Sequence, residues 1–382
     1  MTSAALTSPT GTWPAAVAPG ALMRAVVFRE FGAPEVLHAE AVPVPVPAAG
    51  EVLVQVAAVS VGRLLDLAAR SGTHPYRGYT FPHILGAEHA GVVAATGPSE
   101  TGWRPGDRVA CFPVITDGSC GFCLAGQAEL CSSLQLIGTH RPGAYAQYVA
   151  VPAGNLHRVP DGISPVQATG LALAGPVAMN QLRRAGFRPG QWVLVQGASS
   201  GLGSVTASLA RHLGGHVIAV SRGAAKRERL TALAADAILD PADAGFPGSV
   251  RELTGGRGAD IVIDNLGQPD VWALSLASLA PGGALVSSGA FLGRQVSVDL
   301  QRLYLLGQRI IGVRTGNPAS VTALWAEVHR GFRPVLDTAF PLTDAARAHR
   351  YLADGQNVGR VALLVPHEDP EGRDQPCAST AC

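Results

Sequence analysis

Gln191 to Lys226 reads QWVLVQGASSGLGSVTASLARHLGGHVIAVSRGAAK. It opens on an apolar run, Trp192 to Val195, of the kind that fills a strand buried on both faces. A turn of small residues follows, Gly197-Ala198-Ser199-Ser200-Gly201-Leu202-Gly203. Then come roughly three turns of helical pattern, Ser204 to His212, closed by Gly214-Gly215. A second apolar run, His216 to Val220, ends in Ser221-Arg222. The pattern predicts a βαβ unit whose turn lets a pyrophosphate approach backbone amides at a helix N-terminus. Against the G-x-G-x-x-G spacing, Ala198 and Ser200 stand in the first two glycine places and Gly203 keeps the third.

The end of the second strand narrows the reading. Proteins that bind NAD usually place a carboxylate there, about 20 residues downstream, on the ribose 2′-hydroxyl. Here the place holds Ser221 and Arg222, with Lys226 one turn later. A hydroxyl and two cations suit a 2′-phosphate, so the expected cofactor is NADPH. The turn residues expected to hold it are Ser200, Gly201, Leu202 and Gly203.

Working outward, the chain has 382 residues, 47% apolar and 15% charged, with a formal charge of +1. That length supports two domains with their own cores. Near-neutral charge argues against nucleic acid or an anionic membrane as partner. No stretch of 18 uninterrupted apolar residues is present, so no membrane span is expected. Residues 1–22 lack a cationic start and an apolar core, and read as a disordered extension rather than a signal peptide. The polar tail 367–382 reads the same way. Six cysteines, four of them clustered, do not suggest a secreted disulfide scaffold. A cytoplasmic enzyme is expected.

From Met23 the texture is short β runs broken by Gly and Pro: Arg24 to Phe28, Val52 to Val59, Ala90 to Ala94, Asp107 to Phe112 and Gln147 to Val151. This predicts a β-rich, barrel-like domain. From about Pro165 the pattern becomes α/β, with helical composition over Val166 to Ala185. Strand candidates follow the βαβ unit at Ala237 to Leu239, Ile261 to Ile263, Ala284 to Ser287 and Ile310-Ile311. Helical segments, Lys226 to Ala235 and Val271 to Leu279, lie between them, which argues a doubly wound parallel sheet. After Gly312, helices at Ala319 to His329 and Thr343 to Leu352 and a strand at Gly359 to Val365 are expected to return to the first domain.

The order and spacing of several segments carry a resemblance. They are MRAVVFREFGAPEVL (23–37), GAEHAGVVAATG (86–97), RPGDRVA (104–110), GAYAQYVAVPAGNLHRVPDG (143–162), the small-residue turn, and FPLTDAARAHRYLADGQNVGRVALLVP (340–366). Together they resemble the medium-chain dehydrogenase/reductase superfamily. The resemblance implies a GroES-like catalytic domain (23–165 with 312–366), a Rossmann domain (166–311), and hydride transfer from a nicotinamide in the cleft between them. It places Arg360 near the cofactor phosphates. Asn265 with Leu266-Gly267, and Gly289 with Ala290-Phe291, fall where the family sets the nicotinamide. It also implies a homodimer paired through edge strands of the Rossmann sheets, with Ala284 to Phe291 and the following segment near that edge.

The departures from the family are specific. Its Cys-x-Thr/Ser-Asp segment, which supplies a zinc ligand and a relay hydroxyl, is matched by Arg63-Leu64-Leu65-Asp66. Its Gly-His-Glu is Gly86-Ala87-Glu88, and its third ligand falls at Leu173. A catalytic zinc needs three N, S or O ligands and an open position, so the family's zinc site is expected to be lost; a displaced set of His83, Glu88 and His89 is the alternative. The structural-zinc lobe keeps its spacing with Asp in the first place: Asp117, Cys120, Cys123, Cys131. Either these close a tetrahedral zinc site, or the lobe keeps three reduced thiols without metal.

Without a Lewis acid, an alkoxide loses its main stabiliser. Zinc-free relatives reduce quinones, enones or enoyl thioesters, where charge spreads onto an enolate that hydrogen bonds can hold. The expected function is therefore an NADPH-dependent reductase of an activated C=C bond or quinone. A carbonyl or imine reductase and a non-catalytic NADPH-binding protein are the alternatives. Proton-donor candidates are His74, Tyr76 and Tyr79. Arg63 supplies a cation either to the substrate or only to Glu88. The substrate is a small molecule or is carried on a protein.

Overall fold

Before Pro165 the chain has little helical periodicity and builds mainly sheet, which its Gly and Pro breaks cut into short strands. The structure, a computed structural model, describes residues 20–76, 78–100 and 102–367. In chain order the first lobe contains β1 (Leu22–Phe28), β2 (His38–Pro43), β3 (Glu51–Val61), β4 (His83–Ile84) and β5 (His89–Thr96). After them come β6 (Arg108–Cys111), β7 (Val114–Ile115), a short helix α1 (Gly121–Leu124), β8 (Gln135–Leu136), β9 (Tyr148–Pro152) and β10 (Leu156–Arg158). β3 pairs with β5 on one side and with β9 on the other, which leaves nearly all of its residues buried.

The second lobe begins at α2 (Pro165–Ala172), whose Ser164 hydroxyl and Gln167 side chain form a reciprocal N-terminal cap. The helical stretch expected over 166–185 breaks at Leu173, and α3 (Ala174–Ala185) continues it. There follow β11 (Trp192–Gln196), α4 (Gly201–His212), β12 (His216–Val220), α5 (Ala224–Arg229), β13 (Ala237–Leu239) and α6 (Phe246–Leu253). The lobe closes with β14 (Ala259–Ile263), α7 (Pro269–Ala277), β15 (Leu279–Ser287), α8 (Leu300–Leu305) and β16 (Arg309–Gly312). The six strands form one wholly parallel sheet in the order β13-β12-β11-β14-β15-β16. β11 at its centre is apolar from Trp192 to Val195 because helices cover both faces. The expected α/β fold with a doubly wound sheet is present.

The last part of the chain divides between the lobes. α9 (Pro318–His329) packs on α3: a side chain at Gly175 would strike Leu324 at 2.5 Å. β17 (Leu336–Pro341), α10 (Ala345–Ala353) and β18 (Arg360–Leu364) rejoin the first lobe. There β18 pairs with β3 to complete the order β10-β6-β5-β3-β18-β17. α9 thus faces both lobes: its Val321, Leu324 and Val328 join an apolar core that both lobes share, and its Trp325 stacks on His157 of β10.

The expected extension, 1–22, lies outside the described residues up to 19, but Leu22 already pairs with Pro43 in β1. The tail beyond 367 is also outside them. His367 itself is tied down, its ring Nε2 2.7 Å from the carbonyl oxygen of Val56.

Candidate active site

The two lobes enclose a cavity of about 960 Å³ at the carboxyl ends of β11, β12, β14 and β15. This is where open α/β sheets bind ligands. At its centre the small-residue turn opens directly into α4, which starts at Gly201, three residues earlier than the sequence pattern suggested. Ser200 caps the helix, its Oγ accepting from the Gly203 amide at 3.0 Å. Ser200, Gly201 and Leu202 line the cavity. Gly203 lies behind them, where a side chain would run into the carbonyl of Gly197. The third glycine place is therefore kept for helix–strand packing.

At the end of β12, Ser221 is buried and its hydroxyl donates to Ser199 Oγ at 3.1 Å. Arg222 and Lys226 line the adjoining wall. Neighbouring cations are neutralised: Arg227 pairs with Asp240 and Arg229 with Asp337. Among the described residues neither Arg222 nor Lys226 has an ion-pair partner. Burial, then the nearby Arg63, Arg229 and Arg222, hold the Lys226 ammonium below its ordinary pKa. This wall is short of negative charge.

Arg63 belongs to the same wall. Its guanidinium donates to the Leu352 carbonyl, and a side-chain carbon at Gly355 would lie 3.6 Å from Arg63 Nη2 and 3.7 Å from Lys226 Nζ. Of the two alternatives for Arg63, a cation for the substrate or for Glu88 alone, the second is corrected, since Glu88 pairs with Arg360. The residue facing Glu88 is Gly62, where a Cβ would lie 3.3 Å from Asp66 Oδ2 and 3.8 Å from Glu88 Oε2. Arg63 opens a π-helical turn, Arg63–Ala68, in which the amides of Asp66 and Leu67 both reach the Gly62 carbonyl at 3.1 Å. The physical reason is competition for partners: the Arg63 guanidinium is held by the Leu352 carbonyl, while Glu88 is already paired with Arg360.

Beside Gly62 and Leu173 lies a buried ion pair, Glu88 with Arg360. Glu88 also accepts from the Ala174 amide at 3.0 Å. Arg360 reaches the other lobe as well, since a side chain at Gly201 would meet its Cδ at 3.1 Å. The displaced ligand set does not assemble: His83 Nε2 faces the Gly138 carbonyl and His89 Nδ1 that of Ala87.

Asp66, fully buried, accepts from the Gly62 amide at 2.7 Å and the Gly86 amide at 3.1 Å. Burial, with Glu88 adding to it, pushes its carboxyl up to about 7 from 3.8. The folded chain thus binds this proton more tightly than the unfolded chain, and stability falls as pH rises between those values. The loss is on the order of 4 kcal/mol across that window. Urea unfolding at pH 5 and pH 8 checks this: Asp66→Asn should be markedly less pH-sensitive than the parent. Equal slopes in the two proteins would show that Asp66 is already ionised at low pH.

At the other end of the cavity, Asn265 Oδ1 accepts from the Ser288 amide at 2.8 Å and Gln181 Nε2 at 3.0 Å, pinning the ends of β14 and β15 together. Asn265, Leu266 and Phe291 line this end. Gly289 supports it from behind, where a side chain would lie 2.8 Å from the Phe291 ring and 2.9 Å from the Asn265 carbonyl.

Of the three proton-donor candidates, only Tyr76 lines the cavity. Its phenol oxygen accepts from Arg314 Nε at 2.9 Å, and the Arg314 guanidinium lies 5.2 Å from the ring centre. His74 is corrected to a supporting role: buried, with Nδ1 2.9 Å from the Tyr76 carbonyl, it shapes the loop, and burial lowers its pKa. Tyr79 is also corrected. It packs edge-on against Phe28, Phe31 and His83, and burial pushes its phenol up to about 12. Arg314 was not anticipated; in sequence it is one arginine among many just past a strand.

The cysteine lobe brings its four residues together. The ligand atoms of Asp117, Cys120, Cys123 and Cys131 all lie within 4.8 Å of one another, the only such group among the described residues. A zinc tetrahedron with bonds of about 2.3 Å has edges of roughly 3.8 Å, so a small contraction would close the site. Asp117 accepts from the Cys120 and Ser119 amides, both at 2.8 Å, and these bonds hold its carboxyl well below the usual range. The donors fit a structural zinc. Just before Cys131, buried Glu129 reaches out of the lobe to Asn317 Nδ2 at 3.0 Å, Asn180 Nδ2 at 3.5 Å and Arg184 at 3.6 Å.

Residues 48–161 match the alcohol dehydrogenase GroES-like domain, and residues 201–330 match the zinc-binding dehydrogenase family. A GroES-like lobe, a parallel nucleotide-binding sheet and a cleft between them define a two-domain oxidoreductase. The chain belongs to the medium-chain dehydrogenase/reductase superfamily. It is 31% identical to an NAD-dependent alcohol dehydrogenase of Sulfolobus acidocaldarius, over 90% of this chain and 100% of the relative. It is 29% identical to a 2-haloacrylate reductase of a Burkholderia species, over 90% of this chain and 99% of the relative. Among solved structures, AibC is 34% identical with a TM-score of 0.83, covering 91% of this chain and 97% of that one.

Proposed function

We propose that the chain is an NADPH-dependent reductase of an activated C=C bond or quinone that works without a catalytic metal. The observation that carries the reading is the buried Glu88–Arg360 pair beside Gly62 and Leu173, where among the described residues no three His, Cys, Asp or Glu side chains converge. Arg222 and Lys226 would hold a 2′-phosphate, the α4 amides and Arg360 the pyrophosphate, and Asn265 and Phe291 the nicotinamide end. Bound there, the nicotinamide supplies the hydride. Tyr76 supplies the proton: its oxygen accepts from Arg314, which leaves its own hydrogen free to point into the cavity. The Burkholderia relative is named a 2-haloacrylate reductase, and a haloacrylate carries a conjugated C=C bond, in keeping with this chemistry. Carbonyl reduction is the second reading, favoured by the name of the Sulfolobus relative.

NADPH oxidation against enones, quinones and the matching saturated ketones, with and without a chelator, tests the reading. Turnover of the conjugated substrates alone, retained after brief chelation, is the expected result, with Tyr76→Phe lowering kcat about 10²-fold. Chelator-sensitive turnover of the saturated ketones would sink it.

A further inference from the structure

We propose that Arg314 is a substrate-anion site and that the molecule reduced here carries a carboxylate. The inference rests on the cleft being read as a hydride-transfer site with the nicotinamide at the β14–β15 end. Arg314 follows β16, and the cofactor-wall cations follow β12, four places away in the sheet. At about 4.8 Å per strand the two positive regions stand about 19 Å apart. Arg314 is therefore a second positive region, beyond the nicotinamide end, and it lines the same cavity with Tyr76, Leu134, Leu136 and Thr315.

Its environment suits an incoming anion. Nε is spent on the Tyr76 hydroxyl, and Nη1 on the Glu129 backbone carbonyl at 3.3 Å. The Glu129 carboxylate is itself engaged by Arg184, Asn180 and Asn317. Among the described residues no carboxylate pairs with Arg314, and no contact occupies its Nη2. Two hydrogen bonds and the Tyr76 ring hold the guanidinium in place, so little ordering is needed when a carboxylate arrives. The apolar Leu134 and Leu136 offer contact to a short carbon skeleton. A carboxylate on Arg314 sets the double bond beside Tyr76, whose proton, with the hydride, completes addition of two hydrogens across the C=C bond. Tyr76 then recovers its proton from water.

The test compares 4-oxopent-2-enoate with its neutral isostere 4-oxopent-2-enamide, which share one activated double bond. The parent should prefer the acid, and Arg314→Gln should cut the acid-to-amide ratio of kcat/KM about 10- to 100-fold. Arg314→Lys should keep part of that preference. Any loss through Tyr76 affects both substrates and cancels in the ratio. In parallel, calorimetry measures 4-oxopentanoate binding to the enzyme with NADP⁺ present, and Arg314→Gln should weaken it by a similar factor. A parent ratio near one, or equal losses on both substrates, overturns the proposal, as does failure of 4-oxopentanoate to bind. Arg314-dependent binding without reduction of either compound would uphold the anion site and reject C=C reduction.

Discussion

Replacing Arg222 and Lys226 together by alanine is expected to raise the KM for NADPH roughly 100-fold and to leave the KM for NADH within about twofold, since each lost charge-assisted hydrogen bond to a phosphate is worth about 1.5–3 kcal/mol. The asymmetry follows from what the two cations face. Neither has a carboxylate partner among the described residues, while Arg227 and Arg229 beside them do. Ser221 closes the strand where an NAD-specific site would carry an acid. Steady-state kinetics with both cofactors decide it. A parent enzyme that prefers NADH, or a double variant that loses both cofactors equally, would rule out 2′-phosphate recognition on this wall.

The second large effect concerns stability. Arg360→Met should cost about 3–5 kcal/mol, because it leaves the Glu88 carboxylate buried without its cation. Replacing both partners, Glu88→Met with Arg360→Met, should recover most of that loss, because the desolvation of two charges is then avoided. Urea unfolding of the parent, Arg360→Met, Glu88→Met and the double variant measures it, and full additivity of the two single changes would refute the coupling. Because Arg360 also approaches Gly201 at the start of α4, cofactor affinity should fall in both variants that lack it.

Much of this arrangement was legible in the chain. Strands buried on both faces announce themselves as unbroken apolar runs, so β11, β12 and the turn between them were readable almost to the residue. The short edge elements were not. β2 and β17 alternate weakly, and α6 and α8 are too short to show a helical period. At the site, the small-residue turn and the Ser221-Arg222 and Lys226 positions were legible as neighbours, because a βαβ unit brings the ends of adjacent strands to one edge. All three line the cavity. Which way Arg63 points was not, since its partner, the Leu352 carbonyl, lies 289 residues further along the chain. His74 and Tyr79 were misplaced for a related reason: an aromatic polar side chain looks the same in sequence whether it packs or reacts. Arg314 acquires meaning only when β16 brings it opposite a loop 238 residues earlier.

Glu129 gives the cysteine lobe a mechanical part to play. The lobe is anchored in the first domain, yet this one carboxylate grips α3 and the N-terminal cap of α9, both of which ride on the parallel sheet. A loop whose shape is set by its own four ligand residues thereby works as a buckle across the cleft. The angle between the two walls, and with it the distance from Tyr76 to the end of β14, is held by a clasp some distance from where the chemistry takes place.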